Sequence, residues 1–381
     1  GRGMSLTEYL IARISADGPL SIAEYMSACL LHPDFGYYAT RDPFGAAGDF
    51  ITAPEISQMF GELAGLSLAQ AWLDRGGAEV AGGEMLLVEP GPGRGTLMAD
   101  MLRVLSKVPG LRPKLHLIEA SAHLKSVQRA TLQGADVTWH ETLNTVPDGP
   151  IYMVANEFLD ALPIRQFVRE SGRAGAAWRE RQVGLVAGEL AFGLAPPTSV
   201  TGLEHFETIT PEGAMVEICP AATGFAHDLG ARIAARGGVA IFVDYGGWVS
   251  QGDTLQALRA HAPIDPLDQP GSADLTAHVD FERIAAAVGY RDARSFRRAF
   301  TARDESVPPP QMPGQSDQPF TRCEHLRFVC RSFLNESGRF LISPAGCHRG
   351  VVCSGTVVGG RRDPPATTFD PAVPAGPNKN P

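Results

Sequence analysis

The stretch that decides the fold is an apolar run that ends in an acid and a glycine turn, Met85-Leu86-Leu87-Val88-Glu89-Pro90-Gly91-Pro92-Gly93-Arg94-Gly95-Thr96. This run, followed by helical spacing from Thr96 to Leu105, predicts a buried strand that leads into a helix. Glycine tolerates positive φ and leaves room for a ligand against the backbone, because it has no Cβ. The first N–H groups of the helix are unpaired and attract an anionic group. The stretch therefore predicts a ligand-binding strand, turn and helix.

Further apolar runs predict the rest of a sheet, at Lys114–Glu119, Val137–His140, Ile151–Asn156 and Val239–Asp244. Turns or helical segments follow them, as is typical of parallel strands with crossover helices. Alternating runs around glycine turns predict an antiparallel insertion, at Ile164–Val168, Trp178–Val186 and Leu190–Leu194. Helical spacing over Leu6–Ile14 and the capping-box pattern Ser21–Glu24 predict N-terminal helices. The predicted fold class is α/β, with a Rossmann-like, mostly parallel sheet.

These patterns divide the chain into five segments. Residues 1–84 form an N-terminal helical lid segment, and 85–163 form the first half of the Rossmann-like domain. Residues 164–236 form the insertion, with antiparallel strands and a helix, and 237–300 complete the domain. After about residue 300 the helical and strand periodicity stops, and the last 20 or so residues are rich in proline. We therefore predict that residues 301–381 are an atypical, poorly ordered tail.

Charge and composition exclude several classes of function. The 381 residues carry a net charge of -9 at pH 7, which argues against general nucleic-acid binding because phosphate contacts need a basic surface. The sequence contains no apolar run of about 18 residues, so we predict no membrane span, and no leader peptide is visible. Four cysteines crowd the tail without a close pair, so we predict no metal site: Cys323, Cys330, Cys347 and Cys353.

The spacing of the glycines distinguishes between two kinds of nucleotide-like ligand. A dinucleotide fingerprint has Gly-x-Gly-x-x-Gly, whereas this turn has Gly91, Gly93 and Gly95. The carboxylate of Glu89 would repel a pyrophosphate but would attract the ammonium and sulfonium of S-adenosylmethionine. Glu119 ends the next strand, where an acid can accept both hydroxyls of a ribose. The alternative is a structural turn followed by a solvated acid at the strand end.

A second group of polar residues follows the fourth predicted strand, in Asn156-Glu157-Phe158-Leu159-Asp160-Ala161-Leu162-Pro163. Open α/β sheets bind their ligands at the carboxyl ends of the strands. Asn156 and Glu157 would emerge there from a buried strand. The alternative is a polar loop in which Asp160 caps the following element.

Five motifs resemble those of the MidA family over residues 6 to 281. They are His32–Tyr38, Gly48–Glu62, Glu89–Leu97, Asn156–Pro163, and Asp244-Tyr245-Gly246 followed by Leu275–Phe281. The resemblance implies a class I methyltransferase sheet, an N-terminal helical lid over the donor S-adenosyl-L-methionine, and a protein arginine as acceptor. Mitochondrial members are assembly factors for respiratory complex I, which implies a core subunit of NADH dehydrogenase as partner. After about residue 281 the sequence departs from the family pattern.

The motifs lead to residue-level hypotheses. We expect Glu157 and Asp160 to form a carboxylate clamp for the guanidinium, completed by Glu55 or Asp49 from the lid. We expect the donor to contact Glu89, Gly91, Gly93, Arg94, Gly95, Glu119, Asn156, Gly48 and Thr52. Thr52-Ala53-Pro54-Glu55 is also a capping-box pattern, so this part of the lid could instead serve to start a helix. His140 could flank the adenine, although a lone histidine is more often structural.

Two other functions remain open from the sequence alone. One is an assembly factor that keeps the fold and binds a respiratory subunit without turnover. The other is a nicotinamide-dependent oxidoreductase, which the glycine spacing disfavours. We predict a location in the bacterial cytoplasm, or in the mitochondrial matrix if the source is eukaryotic.

Overall fold

A parallel sheet with helices on both faces forms the centre of the structure. The computed structural model describes residues 4–40, 52–79, 84–170, 177–260 and 262–289, and the backbone of 332–334 and 340–342. The N-terminal segment contains α1 (Leu6–Asp17), β1 (Leu20–Ser21), α2 (Ile22–Leu31), α3 (Tyr37–Thr40), α4 (Ala53–Ile56) and α5 (Gln58–Asp74). The predicted capping box is confirmed, since Ser21 and Glu24 exchange their hydrogen bonds at the start of α2.

All five strands predicted for the sheet are present. They are β2 (Glu84–Pro90), β3 (Arg112–Ile118), β4 (Val137–His140), β5 (Ile151–Asn156) and β10 (Gly238–Val243). They lie parallel in the order β10-β5-β2-β3-β4. The chain builds outward from β2 in one direction and then from β5 in the other, so the strand order switches between these two neighbours. At such a switch point the two following loops diverge and leave a crevice for a ligand.

Helices cover both faces of this sheet, which explains why its strands are almost continuously apolar. On one face α5 packs with α6 (Thr96–Leu105) against residues such as Leu87, Leu117 and Val154. On the other face α8 (Pro220–Arg236) and α9 (Phe281–Ala287) cover Val88 and Met153. A further helix, α7 (Ala122–Thr131), connects β3 to β4.

The insertion is antiparallel, as predicted, but it is not separate from the N-terminal segment. Its strands are β6 (Arg165–Arg169), β7 (Trp178–Val186), β8 (Glu189–Leu194) and β9 (Met215–Ile218). The sheet order is β1-β7-β6-β9, with β8 on the other edge of β7, so β1 of the N-terminal segment completes the same sheet. Leu10 and Tyr25 share an apolar core with Val183. The two predicted segments therefore fold as one structural unit.

The chain after β10 forms short strands that the sequence pattern does not predict. They are β11 (Gly246–Gly247), β12 (Gln256–Arg259), β13 (Ala262–Ile264), β14 (Asp274–Thr276) and β15 (Val279–Asp280). In the predicted tail the structure describes β16 (Ser332–Leu334) and β17 (Phe340–Ile342), which pair antiparallel with each other. The tail cysteines lie outside the described residues. Within the described part, no helix is both long and apolar enough to cross a membrane.

Two glycines allow α5 to approach α6 closely. A Cβ on Gly61 would lie 2.5 Å from the Cβ of Asp100. A Cβ on Gly65 would lie 2.7 Å from Val104 Cγ2 and 3.0 Å from Met101 Cα. Part of this contact is with backbone, so the neighbour cannot move aside without shifting α6.

We predict that Gly65→Ala lowers the free energy of unfolding by about 1–3 kcal/mol, because it overpacks the contact between the helices. The matched control is Gly224→Ala in α8, where a Cβ meets nothing within 4 Å. That change should raise the free energy of unfolding by about 0.5–1 kcal/mol, through helix propensity. Urea unfolding of both variants measures the difference, and equal stabilities would contradict the close packing.

Candidate active site

The glycine turn has a conformation that only glycine adopts without strain. Gly91, Gly93 and Gly95 have φ values of 59°, 53° and 84°. Gly95 is the N-cap residue of α6, and its N–H donates to Pro92 O at 2.8 Å. A Cβ on Gly91 would lie 3.0 Å from Cδ2 of Phe158, in the loop after β5. The turn therefore touches the neighbouring loop at the switch point of the sheet.

Glu89 lies beneath this turn with an unpaired carboxylate oxygen. The side chain is buried, with 3% of its surface exposed, and Oε2 has no hydrogen-bond partner among the described residues. Burial raises the pKa of Glu89 well above its usual value, although the N–H of Met98 lowers it. Asn156, at the end of the adjacent β5, also has a buried and unpaired Oδ1 in the described structure. Both atoms are suited to accept hydrogen bonds from a ligand with an ammonium group.

Glu119 is held at the end of β3 by two hydrogen bonds. Its Oε1 accepts the N–H of Ser121 at 2.8 Å, and its Oε2 accepts Nε2 of Gln128 at 3.0 Å. Gln128 also donates to Gly93 O at 2.8 Å and accepts from Trp139 Nε1 at 2.8 Å. Gln128 therefore ties the predicted ribose acid to the glycine turn. Gln128 was missed in the sequence, where its signal is a polar residue on the apolar face of α7.

Four carboxyl groups gather at the ends of β5, β10 and β14: Glu157, Asp160, Asp244 and Asp274. Asp244 accepts the N–H groups of Phe158 at 3.1 Å and Leu159 at 2.7 Å. Glu157 has a φ of 47°, and its N–H donates to Val243 O at 2.8 Å. Glu157 and Asp160 lie in the loop after β5, and these hydrogen bonds attach that loop to the end of β10.

Burial disfavours the charged forms of Glu157, Asp160 and Asp244, and repulsion by neighbouring carboxyl groups adds to this effect at Glu157 and Asp160. Burial, followed by Asp244 and Asp274, raises the pKa of Glu157 to about 7. Burial and the same neighbours, with Glu157, raise the pKa of Asp160 well above its usual value. Burial also raises the pKa of Asp244 to about 7, against the effect of its backbone hydrogen bonds. None of the described ion pairs includes Glu157, Asp160 or Asp244.

Tyr38 connects the acid cluster to the glycine turn side of the crevice. Its hydroxyl donates to Asp274 Oδ1 at 2.8 Å. Its carbonyl accepts Oγ of Ser121 at 2.7 Å, and Ser121 in turn binds Glu119. Tyr38 belongs to one of the sequence motifs, but its role and that of Asp274 depend on contacts between residues far apart in the chain.

The structure describes only some residues of the predicted lid. Glu55 Oε1 accepts the hydroxyl of Thr96 at 2.6 Å, which places Glu55 at the start of α6 beside the glycine turn. Thr52 is the N-cap residue of α4, but its side chain makes no capping hydrogen bond, so the capping-box interpretation is wrong in that respect. Gly48 and Asp49 lie outside the described residues. Arg94 is half-buried on the turn.

His140 has a structural position. Its Nε2 lies 2.9 Å from Nδ1 of His116, and its Nδ1 lies 3.0 Å from Oγ1 of Thr145. Both ring nitrogens of His140 therefore have partners within the protein, and its position beside the adenine stays a prediction.

Comparisons with known proteins agree with this geometry. The sequence model of a family described as S-adenosyl-L-methionine-dependent methyltransferases matches residues 63–297. The Mus musculus protein arginine methyltransferase NDUFAF7, mitochondrial, is 36% identical over 327 aligned residues, covering 76% of this chain and 73% of that protein. The Homo sapiens protein of that name is 37% identical to this chain, and the alignment covers 72% of this chain and 67% of that protein.

A solved structure adds the ligand class. The crystal structure of a Burkholderia thailandensis protein bound to S-adenosyl-homocysteine has a TM-score of 0.63 and 30% sequence identity with this chain. The similarity covers 75% of this chain and 76% of that chain. The predicted class I fold and the predicted cofactor, S-adenosyl-L-methionine, are thereby confirmed.

We predict that Gln128→Leu weakens binding of S-adenosyl-L-methionine by about tenfold or more, because it releases both Glu119 and the glycine turn. Ser126→Ala, on the exposed face of the same helix, is the matched control and should bind like the wild type. Titration calorimetry measures both dissociation constants. Unchanged binding by Gln128→Leu, with a folded circular dichroism spectrum, would contradict this role.

Proposed function

The chain belongs to the family of S-adenosyl-L-methionine-dependent methyltransferases, and we propose that its acceptor is an arginine of a protein. The observation that carries the proposal is that Glu157, Asp160 and Asp244 lie together at the ends of β5 and β10, beside the glycine turn, and meet no cation in the described ion pairs. An arginine guanidinium stays charged in proteins and presents a planar fork of N–H donors to carboxylates. The relatives named as protein arginine methyltransferases support the same acceptor.

The donor side of the crevice fits S-adenosyl-L-methionine, which supplies a methyl group activated by a positive sulfur. The unpaired oxygens of Glu89 and Asn156 would receive its ammonium group, and that charge would lower the raised pKa of Glu89. The backbone at Gly91, Gly93 and Gly95 leaves room for the donor's amino acid end. Glu119 would accept the ribose hydroxyls, since each oxygen keeps a free lone pair. We also assign Arg94, Thr52 and Gly48 to the donor side.

On the acceptor side, Glu157 and Asp160 would hold the guanidinium. We propose that Glu55 or Asp49 completes this clamp from the N-terminal segment. Asp244 is occupied by backbone N–H groups and therefore positions the loop instead of binding the acceptor. The clamp orients one nitrogen toward the methyl group, and most of the acceleration comes from this positioning.

Glu157 also suits the proton transfer. As the new nitrogen–carbon bond forms, the sulfur–methyl bond of the donor would break, and S-adenosyl-homocysteine would leave with that electron pair on its neutral sulfur. The methylated nitrogen gives up a proton, so the product guanidinium keeps a single positive charge. A carboxylate with a pKa of about 7 accepts this proton near neutral pH. The bound guanidinium lowers that pKa, so release of the proton to water follows easily.

We further propose a core subunit of respiratory NADH dehydrogenase as the protein substrate. The support is the resemblance of the motifs to those of complex I assembly factors, and the mitochondrial relatives that bear the NDUFAF7 name. In a bacterium the equivalent subunit would be methylated in the cytoplasm, and in a eukaryote in the mitochondrial matrix. Mass spectrometry of this subunit, isolated with and without the enzyme in the same cells, tests the assignment.

We predict that Glu157→Gln lowers methyl transfer by at least about a hundredfold, because the clamp loses its charge and the proton its acceptor. Binding of S-adenosyl-L-methionine should stay within about twofold of wild type. Glu141→Gln, an exposed acid after β4, is the matched control. The readout is transfer of labelled methyl groups to protein, with methylarginine identified by mass spectrometry. Full transfer by Glu157→Gln would remove it from the mechanism, and donor binding without any transfer by wild type would favour a non-catalytic assembly factor.

We also predict opposite effects of pH on activity and stability. Ionised Glu157 increases as pH rises through about 7, so kcat/KM for the protein acceptor should rise over the same range. The folded state binds the proton of Glu157 more tightly than the unfolded state, so stability falls as pH rises from about 4.5 to 7. Glu157→Gln should therefore have a higher Tm than wild type at pH 8, and a similar Tm at pH 4.5. If Glu157→Gln and wild type have the same Tm at pH 8 as well as at pH 4.5, the raised pKa of Glu157 is contradicted.

A further inference from the structure

Tyr38 is hydrogen-bonded at both ends, to the side of the crevice that holds Glu119 and to the acid cluster. Its carbonyl accepts Oγ of Ser121 at 2.7 Å, and the N–H of Ser121 donates to Glu119, the predicted ribose acid, at 2.8 Å. Its hydroxyl donates to Asp274 Oδ1 at 2.8 Å. Three hydrogen bonds therefore connect Glu119 to a member of the acid cluster, and Tyr38 makes two of them.

The hydroxyl of Tyr38 is protonated, as this connection requires. Burial, followed by Asp274, raises the pKa of Tyr38 well above its usual value, and Asp160 adds to this effect. The hydroxyl therefore keeps its proton at neutral pH and can donate it to the carboxylate. Because a hydrogen bond to an ionised carboxylate is stronger than one between neutral groups, the hydroxyl holds Asp274 firmly in place.

The strand β14 is attached in turn to the loop after β5. Ala277 follows this strand, and its N–H donates to Asp160 O at 2.9 Å. Within the strand, Leu275 is buried in the same apolar core as Tyr37 of α3. A displacement of β14 would therefore disturb both the loop that carries Asp160 and the packing of α3.

Tyr25 shows how a tyrosine with a purely structural role is placed in the same core. Its hydroxyl donates to the backbone carbonyl of Pro266 at 2.7 Å, and burial raises its pKa above the usual value. The hydroxyl of Tyr38 donates instead to a carboxylate of the acid cluster. Either partner would satisfy a buried hydroxyl, so the carboxylate partner gives Tyr38 a role beyond packing.

We infer that Tyr38 is a positioning residue that couples binding of the methyl donor at Glu119 to the acid cluster. A methyl donor that is hydrogen-bonded to Glu119 restrains Ser121, and the two hydrogen bonds of Tyr38 pass this restraint to Asp274 and β14. Because coupling between two sites is reciprocal, an acceptor bound at the cluster strengthens binding of the methyl donor by the same factor. The inference rests on the proposed contact of the methyl donor with Glu119, and not on the identity of the acceptor.

Hydrogen–deuterium exchange of the full chain, with and without S-adenosyl-homocysteine, tests the coupling. In the wild type this ligand should slow exchange by about fivefold or more in the glycine turn, at the start of α7 and in β14. Tyr38→Phe should keep the first two effects and lose the third. Tyr25→Phe, which also removes one buried hydroxyl, is the matched control and should keep all three.

Two outcomes of the exchange measurement would overturn the inference. One is slowing of β14 in Tyr38→Phe as large as in the wild type. The other is a wild type in which the start of α7 is not slowed, which would remove the proposed contact of Glu119 as well. The loop after β5 also touches the glycine turn, through Phe158, so β14 and not that loop is the readout.

Two variants of Asp274 separate the coupling from a folding defect in Tyr38→Phe. Asp274→Asn keeps an oxygen that accepts the hydroxyl of Tyr38, so the ligand should still slow exchange in β14. Asp274→Ala has no acceptor atom, so this slowing should be lost. Equal slowing in the two Asp274 variants would overturn the inference.

Methyl transfer gives a second readout, which rests on the proposed protein acceptor. Tyr38→Phe should raise KM for the acceptor by about tenfold. The Kd of S-adenosyl-L-methionine, measured without acceptor, should stay within about twofold of wild type. A lower kcat with unchanged KM would overturn the coupling. Absence of transfer by the wild type would contradict the proposed function alone, because the exchange measurement decides the coupling without an acceptor.

Discussion

The arrangement of the whole crevice depends on the carboxylate of Asp244, which accepts backbone N–H groups from the loop after β5. Parallel pairing brings the ends of β5 and β10 side by side, with Asn156 opposite Val243. The Asp244 bonds then fold the loop back, so that Glu157 adopts its left-handed conformation and Phe158 lies against Gly91. A single buried acid thus fixes the acceptor loop in relation to the donor turn. Neither the sheet nor the glycine turn alone would fix the distance between the turn and the loop after β5.

This arrangement gathers like charges, which opposes folding. Desolvation raises the pKa values of Glu157, Asp160 and Asp244, and repulsion by neighbouring carboxyl groups adds to this effect at Glu157 and Asp160, so ionising these acids destabilises the free protein. The proposed cationic acceptor would relieve the same repulsion when it binds. In that proposal, the folding free energy that is lost by keeping these acids together would give selectivity for a positively charged substrate, as is common where a site breaks the usual rules of packing. Beneath the glycine turn, Oε2 of Glu89 likewise has no hydrogen-bond partner among the described residues.

Sequence patterns predicted the central sheet well because each strand carries its own signal. β2, β3, β5 and β10 are apolar runs bounded by turns. The spacing of Gly91, Gly93 and Gly95 indicates the local backbone conformation of the turn. The position of β1 was not predictable, since two residues have no periodicity and their pairing with β7 is decided by tertiary contacts. Gln128 and Asp274 were missed for a related reason. A polar residue reveals its role only through neighbours such as Gly93 or Tyr38, which are distant in the sequence.

The pairing of β1 with β7 has a consequence for biosynthesis. Leu20 pairs with Val183, so the first strand emerges from the ribosome long before its partner. Until then Leu10, Ile22 and Tyr25, which share a core with Val183, lack part of the surface that buries them. Contacts between such distant parts of a chain form late, because closing the loop between them is entropically unfavourable. The nascent N-terminal segment therefore exposes apolar side chains during translation, and Tyr38 can hydrogen-bond to Asp274 only when most of the chain has been made.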